Sequence, residues 1–183
     1  MGRIPVNIAV SGRHMVTNAL LAAAVGRSTG LSLEEIAKGL EEAVLTSGRL
    51  RAFEENGIYV LDDTYNANPE SMRAGIETLS EREIGEGGRY FAVLGQMAEL
   101  GAIAAQEHQK IGGFAAKRDV VVVSVGKEAK GISEGADSNN HFDKREDAAD
   151  WLKSELKSGD AVLFKGSRAA AVEQVMKQIF PQN

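Results

Sequence analysis

No cysteine occurs among the 183 residues, so disulfides, thiolate metal sites and cysteine nucleophiles are excluded. Basic charge is also in short supply: 21 Lys and Arg face 26 Asp and Glu, for a net charge of -5. That balance weighs against a nucleic-acid partner, whose phosphates call for a basic face, and against an anionic membrane surface. No apolar run approaches the roughly 20 residues that span a bilayer. The apolar stretch 19–25 follows His14, Thr17 and Asn18 and leads to no cleavage-site pattern, which speaks against a secretory signal. Internal repeats and low-complexity tracts are missing. The HExxH, GxSxG and GxxxxGK[ST] patterns are missing too, and the three scattered histidines have no metal-ligand spacing. The lack of a phosphate-cradling loop is the most informative of these absences, because other features suggest nucleotide and anion contacts.

The composition that remains, 43% hydrophobic and 26% charged, fits a globular protein with a packed core. The length suffices for one domain plus a piece of another. "RIPVNIAV" at residues 3–10 predicts a strand. Ser11 predicts an N-cap for a helix that stops at Gly30. Ser32 with Glu35 forms a capping box, and Leu33, Ile36, Ala37 and Leu40 mark one face of a second helix. These elements are too few to build a core alone. Beyond "TSGRLR", strands alternate with helices. "GIYVLDDT", "RYFAVLG", "DVVVVSVG" and "DAVLFKG" read as strands. "NPESMRAGIETLSERE", "EDAADWLKSEL" and "SRAAAVEQVMKQIF" read as helices, as does "GAIAAQEHQKIGGFAAKR" with Gly112 and Gly113 weakening it. "KEAKGISEGA" is a short helix or a loop. Strands that are unbroken apolar runs imply a parallel sheet covered on both faces. In such sheets ligands bind beyond the carboxyl ends of the strands.

Those ends carry "DDTYNANP", "GQMAELG", "SVGKEAKG" and "KGSR". Turn chemistry alone accounts for any one of them. "DDTYNANP" exceeds what a turn requires. Its two carboxylates suit ribose hydroxyls or a hydrated Mg²⁺, and the amides of Asn66 and Asn68 both donate and accept. Asn68 also reads as the N-cap ahead of Pro69. In "KGSR", Lys165 and Arg168 bring charge, Gly166 permits close backbone approach, and Ser167 opens a helix whose free N–H groups attract anions. The plain alternative is a capped helix with solvated basic residues. His14 and Asn18 are four apart and share a helix face. His108 reads as a solvent-facing or contact-capping residue.

"SGRHMVTNALLAAA", "SGRLR", "VLDDTYNANPESM", "VLGQMAELG", "EHQKIG" and "VLFKGSR" follow one another as they do in the Mur ligases, and the resemblance covers essentially the whole chain. "DDTYNANPxSM" resembles most the branch that adds D-alanyl-D-alanine to UDP-N-acetylmuramoyl-tripeptide. The resemblance implies an α/β fold with a Rossmann-like, mostly parallel sheet and helices on both faces, preceded by a short strand–helix–helix piece. Residues 1–47 would be the tail of a central ATPase domain and 48–183 the C-terminal domain. It also implies a cytoplasmic, ATP-dependent ligase of peptidoglycan biosynthesis, of which this chain is an inactive C-terminal fragment. The P-loop, the Mg²⁺ ligands and the UDP-sugar pocket would lie elsewhere. In the implied reaction ATP phosphorylates the peptide carboxylate and the dipeptide amine displaces phosphate, so positioning and charge neutralisation dominate. Closure of the C-terminal domain over the central one would bring the strand-end loops to the substrates.

Residue by residue, the resemblance assigns Asn18 to the adenine, His14 to the phosphates, Arg49 and Asp63 to the ribose, and Asn66 to the phosphate side. It assigns Glu99, Lys165, Ser167 and Arg168 to the incoming dipeptide, and it places no catalytic residue and no metal ligand in this chain. Met15 stands where relatives carry Asn, and Gln96 where they carry Asp, so one polar contact and one carboxylate are lost. Two other readings compete: a free-standing binding module without chemistry, and a sibling ligase acting on another muramyl peptide or on folate. "YNANP" argues against the sibling. Residues 1–47, separated from their sheet, would expose apolar helix faces or pack against the Rossmann-like domain or a second copy.

Overall fold

The computed structural model of the protein describes residues 3–8, 13–43 and 48–181, with Arg13 and His14 described by backbone alone. The chain divides into two compact units, residues 1–46 and 47–183.

In the first unit, α1 (Arg13–Ser28) and α2 (Leu33–Glu41) form a helical hairpin. Gly30, at φ +94°, ends α1, and the capping box of Ser32 and Glu35 starts α2 as expected. Val16, Leu20, Leu21 and Val25 form an exposed apolar stripe along α1. The strand expected over 3–10 is not found: residues 3–8 have no regular structure, and no described strand offers them the ladder partners a strand requires. Ala9, Val10 and Ser11 lie outside the described residues.

The second unit is built on a six-stranded sheet of order β1-β2-β6-β3-β4-β5. Its strands are β1 (Arg51–Glu55), β2 (Ile58–Asp63), β3 (Tyr90–Gly95), β4 (Val120–Val125), β5 (His141–Phe142) and β6 (Ala161–Lys165). Only β1 runs antiparallel among the described strands. Sequence periodicity misses β1 because its side chains are largely exposed. The signal it leaves is Asn56-Gly57, both at positive φ, +54° and +72°. That dipeptide sets the tight hairpin turn joining β1 to β2. The two-residue β5 is too short for any pattern to show.

Helices α3 (Pro69–Ser80), α4 (Ala104–Ala116) and α5 (Lys130–Gly135) cover one face of the sheet, and α6 (Arg145–Glu155) and α7 (Glu173–Ile179) the other. Alternate residues of each strand feed the two layers. Val60, Phe91, Val93, Val123, Val162 and Phe164 pack under α6 and α7 with Leu152, Val175 and Phe180. Edge-on contacts of Phe180 with Phe164 at 6.3 Å and with Phe53 at 6.0 Å close that layer. On the opposite face, Leu61, Leu94 and Leu163 meet Met72, Ile76 and Ile111, all fully buried.

Gly112 and Gly113 do not merely weaken α4. A Cβ on Gly112 would lie 1.9 Å from the Ile132 carbonyl oxygen, and one on Gly135 would lie 2.0 Å from that of Gln109. The two helices therefore cross backbone to backbone, and only hydrogen fits between them. Gly112→Ala is expected to destabilise the second unit by about 1–3 kcal/mol through overpacking. Urea unfolding checks this as a lower midpoint at unchanged slope.

Candidate functional site

Because β6 lies between β2 and β3, two strands consecutive in sequence are separated by the last one, and the three end side by side. The connection from β2 to β3 must pass over β6, and the loops leaving β2, β3 and β6 diverge around a common space, as at the crevice of doubly wound sheets. A pocket of about 820 Å³ lies there, walled by Tyr65, Asn66 and Asn68 after β2, Glu99 and Leu100 after β3, and Ser167 and Arg168 after β6.

Each loop is shaped by its own sequence. The two carboxylates of "DDT" divide the work after β2. Asp62, buried, accepts from the Thr64 backbone N–H at 3.2 Å and from its hydroxyl at 2.7 Å, which makes the turn. Asp63 faces the other side of the sheet and pairs with Lys165, its register partner on β6. The Lys165 ammonium, with its side chain 2% exposed, also donates to the Asn66 carbonyl at 3.0 Å. The Oδ1 atom of Asp63 accepts the Leu50 N–H at 3.2 Å. Asn68 caps α3, its Oδ1 accepting the Ser71 N–H at 2.8 Å, while Pro69 occupies the first turn. Asn68 nevertheless lines the pocket as well.

After β3, the Met97 N–H donates to Nε2 of His108 on α4 at 2.8 Å. His108 is buried rather than solvent-facing. Burial pushes its pKa below the ordinary value, against the pull of the Glu128 carboxylate. Glu99, two residues past Met97, sits at φ +65° and turns the backbone around the pocket wall. After β6, the Ser167 N–H donates to the Gln96 carbonyl at 2.9 Å, so the second and third loops are bonded to each other. A Cβ on Gly166 would come 2.7 Å from Val172 and one on Gly95 2.5 Å from Ala170, so both strand ends must lack side chains there.

The helix expected to begin at Ser167 is broken. Arg168–Ala170 is a single 3₁₀ turn, Ala171 is left-handed at φ +50°, and α7 starts only at Glu173. Ser167 therefore precedes a 3₁₀ turn and not the helix expected after "KGSR". The Ser167 hydroxyl is a buried oxygen on the pocket wall with no hydrogen-bond partner among the described residues.

The structure brings Asn66, Glu99, Ser167 and Arg168 together at the pocket. Arg49 does not line the pocket but lies over the ring of Tyr65, which does, 4.4 Å from the centroid. Lys165 and Asp63 are held below the loop by each other. Bonded to the Asp63 carboxylate and the Asn66 carbonyl, the buried ammonium shapes the loop. His14 and Asn18 belong to α1 in the first unit, His14's side chain lying outside the described residues and Asn18 being exposed. Tyr65 also lines the pocket, which sequence reasoning missed although an aromatic within "DDTYNANP" was the available signal. Arg168 is exposed and meets Glu173 at 3.7 Å, a separation that leaves its guanidinium largely to solvent. No helix is long and apolar enough to cross a membrane, and no group of three or more metal-ligating side chains occurs, among the described residues.

Residues 48–168 match the family model described as "Mur ligase, glutamate ligase domain". The chain belongs to the Mur ligase family. It is 38% identical over 195 residues to a UDP-N-acetylmuramoyl-tripeptide–D-alanyl-D-alanine ligase of Mycobacterium tuberculosis, covering 93% of this chain and 38% of that one. The crystal structure of MurF from Acinetobacter baumannii superposes with a TM-score of 0.84 at 34% identity, covering 96% of this chain and 39% of that one. MurF ligase from Thermotoga maritima in complex with ADP superposes at 0.79 and 30% identity, over 94% of this chain and 39% of that one. The chain thus spans under two fifths of the length of these relatives. The α/β fold with its mostly parallel sheet is the one the resemblance implied.

Replacing Lys165 by Met would leave the Asp63 carboxylate and the Asn66 carbonyl facing a buried apolar chain. The expected loss is about 3–5 kcal/mol, as for other broken buried pairs. Adding Asp63→Asn should return about 1–2 kcal/mol of it through coupling. A double-mutant cycle by denaturant unfolding measures both.

Proposed function

We propose that this chain is the C-terminal part of an ATP-dependent ligase that joins D-alanyl-D-alanine to UDP-N-acetylmuramoyl-tripeptide in cytoplasmic peptidoglycan synthesis. The observation that carries the reading is the convergence of three strand-end loops on one pocket, whose wall holds the buried, unpartnered hydroxyl of Ser167 beside Arg168 and Glu99. A zwitterionic dipeptide needs that chemistry. Arg168 suits its carboxylate, Glu99 its ammonium, and Ser167 a carbonyl or carboxylate oxygen. The relatives' names supply the substrate class.

On this reading the β2 side of the pocket faces the nucleotide. Tyr65 and Arg49 offer a stacked, cationic rim to its sugar and phosphates, Asn66 adds an amide, and Asp63 holds the loop that carries them. The ADP complex of the Thermotoga maritima relative supports a nucleotide in this family. ATP would supply the phosphoryl group that activates the acceptor carboxylate. The Mg²⁺ ligands are assigned to the rest of a longer polypeptide. Residues 1–47 are assigned as the end of its central ATPase domain, whose core would cover the apolar stripe of α1. His14 and Asn18 are the nucleotide contacts assigned to that piece.

The test uses the longer polypeptide carrying this chain, with ATP, the UDP-sugar tripeptide and the dipeptide. Amide formation is expected there and no ATP turnover from the present chain alone. Ser167→Ala should raise KM for the dipeptide about five- to tenfold and Arg168→Ala about ten- to a hundredfold, the cost of a neutral and a charged hydrogen bond. KM for the UDP-sugar peptide should stay put. A polypeptide that folds yet forms no amide, or variants that shift only the other substrate, overturns the proposal.

A further inference from the structure

The pocket's middle loop hangs on one unusual contact. Backbone N–H groups at the ends of parallel strands are ordinarily satisfied by water, by a ligand or by a capping side chain. Here the Met97 N–H is satisfied by an imidazole that comes from 11 residues further along, on α4. Met97 itself is 2% exposed and His108 5%, so water is a poor substitute for either partner. The next three residues, 98–100, are pocket wall.

We propose that His108 is the positioning residue of this loop: its neutral imidazole fixes the Met97 backbone and so sets where Ala98, Glu99 and Leu100 stand against the pocket. An imidazole nitrogen can accept a hydrogen bond only while it carries no proton. Acceptance at Nε2 therefore assigns the ring's single proton to Nδ1. When the ring gains a second proton, Nε2 becomes a donor aimed at another donor, and the Met97 N–H must turn away. Glu99, already in a left-handed backbone conformation, has little room to absorb that movement, so the wall follows.

The surroundings favour the neutral state. α5 lies against the base of the side chain: a Cβ on Gly131 would touch the His108 Cβ at 3.4 Å. Glu128, in the turn before α5, is the charged group that acts on the ring from that side, and its attraction for an imidazolium is outweighed by burial. The neighbouring carboxylate on α4, Glu107, is engaged by Arg73 and Lys110 at 3.2 and 2.7 Å. The folded-state pKa is thus below the unfolded value, so the unfolded chain binds more protons between the two. The His108 contribution to stability is complete above pH 6.5 and is lost as pH falls through the depressed folded value. The inference concerns the pocket's wall and holds whichever ligand the pocket takes.

Amide NMR of the full chain from about pH 8 to about pH 5, the range in which an imidazole titrates, tests it, with backbone hydrogen exchange at the two ends of the range. In the parent protein the Met97, Glu99 and Leu100 amide signals should move together in one titration with its midpoint below that of a free imidazole. Met97 exchange should quicken about five- to tenfold beyond the intrinsic pH effect, the worth of one hydrogen bond. His108→Gln keeps an acceptor without a titratable proton; its loop signals should match the neutral parent and stay constant with pH. His108→Ala should show the displaced signals at every pH. Loop amides that ignore pH in the parent, or that still titrate in the Gln variant, overturn the proposal. The parent titration and the Gln variant decide between these outcomes even where the Ala variant fails to fold.

Discussion

A buried ammonium cannot be left without partners, and the Lys165 side chain is buried. Much of the second unit answers that one demand. Asp63 must stand beside Lys165 in register on the adjacent strand, which fixes the alignment of β2 with β6. Gly75 lets α3 come close, since a Cβ there would lie 3.3 Å from the Lys165 stem and from Leu163 and would press on both. The chain after β2 must fold back so that the Asn66 carbonyl reaches the same ammonium. That bend presents Tyr65 outward, and the Tyr65 N–H ties back to the Gly48 carbonyl at 2.8 Å. One desolvated charge thereby couples strand register, helix approach and loop path.

The pocket repeats this logic loop by loop. The β2 loop rests on a lysine, the β3 loop on a histidine, and the β6 loop on a backbone bond to Gln96 and on the Arg145 guanidinium, whose Nε donates to the Ala170 carbonyl at 3.0 Å. In each case the side chain that shapes the wall is not the one that faces the pocket. Asn66, Glu99 and Arg168, which are exposed, and the buried Ser167 hydroxyl on the wall stay available for a ligand, while Lys165, His108 and Arg145 hold the frame.

Sequence reasoning reached the elements with the strongest periodic or capping signals. The parallel strands are unbroken apolar runs, and Ser32 and Asn68 announce their helices by local hydrogen bonding that needs no tertiary context. It missed β1, whose exposed residues carry no alternation, although Asn56-Gly57 spelled the turn. It also extended one helix across Ser167 to Phe180, because "SRAAAVEQVMKQIF" has high helix propensity and the left-handed break falls on an alanine, which carries no warning. The pocket's place at the strand ends was legible because polar residues cluster there beyond what turns require. The division into facing and supporting residues was not legible. Whether Lys165 meets a ligand or Asp63 depends on which side of the sheet each occupies, and that follows from register. His108 was invisible for a related reason: its partner is a backbone amide, which leaves no mark in the sequence.

The bond from the Ser167 N–H to the Gln96 carbonyl has a thermodynamic meaning of its own. Loops that are separately mobile must each be ordered when a ligand arrives, at about 0.5–1.5 kcal/mol for each side chain immobilised. Here two of the three walls are already fastened to each other, and the third is fastened to the strand between them. Most of that ordering is completed during folding. A ligand in this pocket meets a surface whose entropy has already been spent, and its affinity depends on how well it matches a shape set in advance.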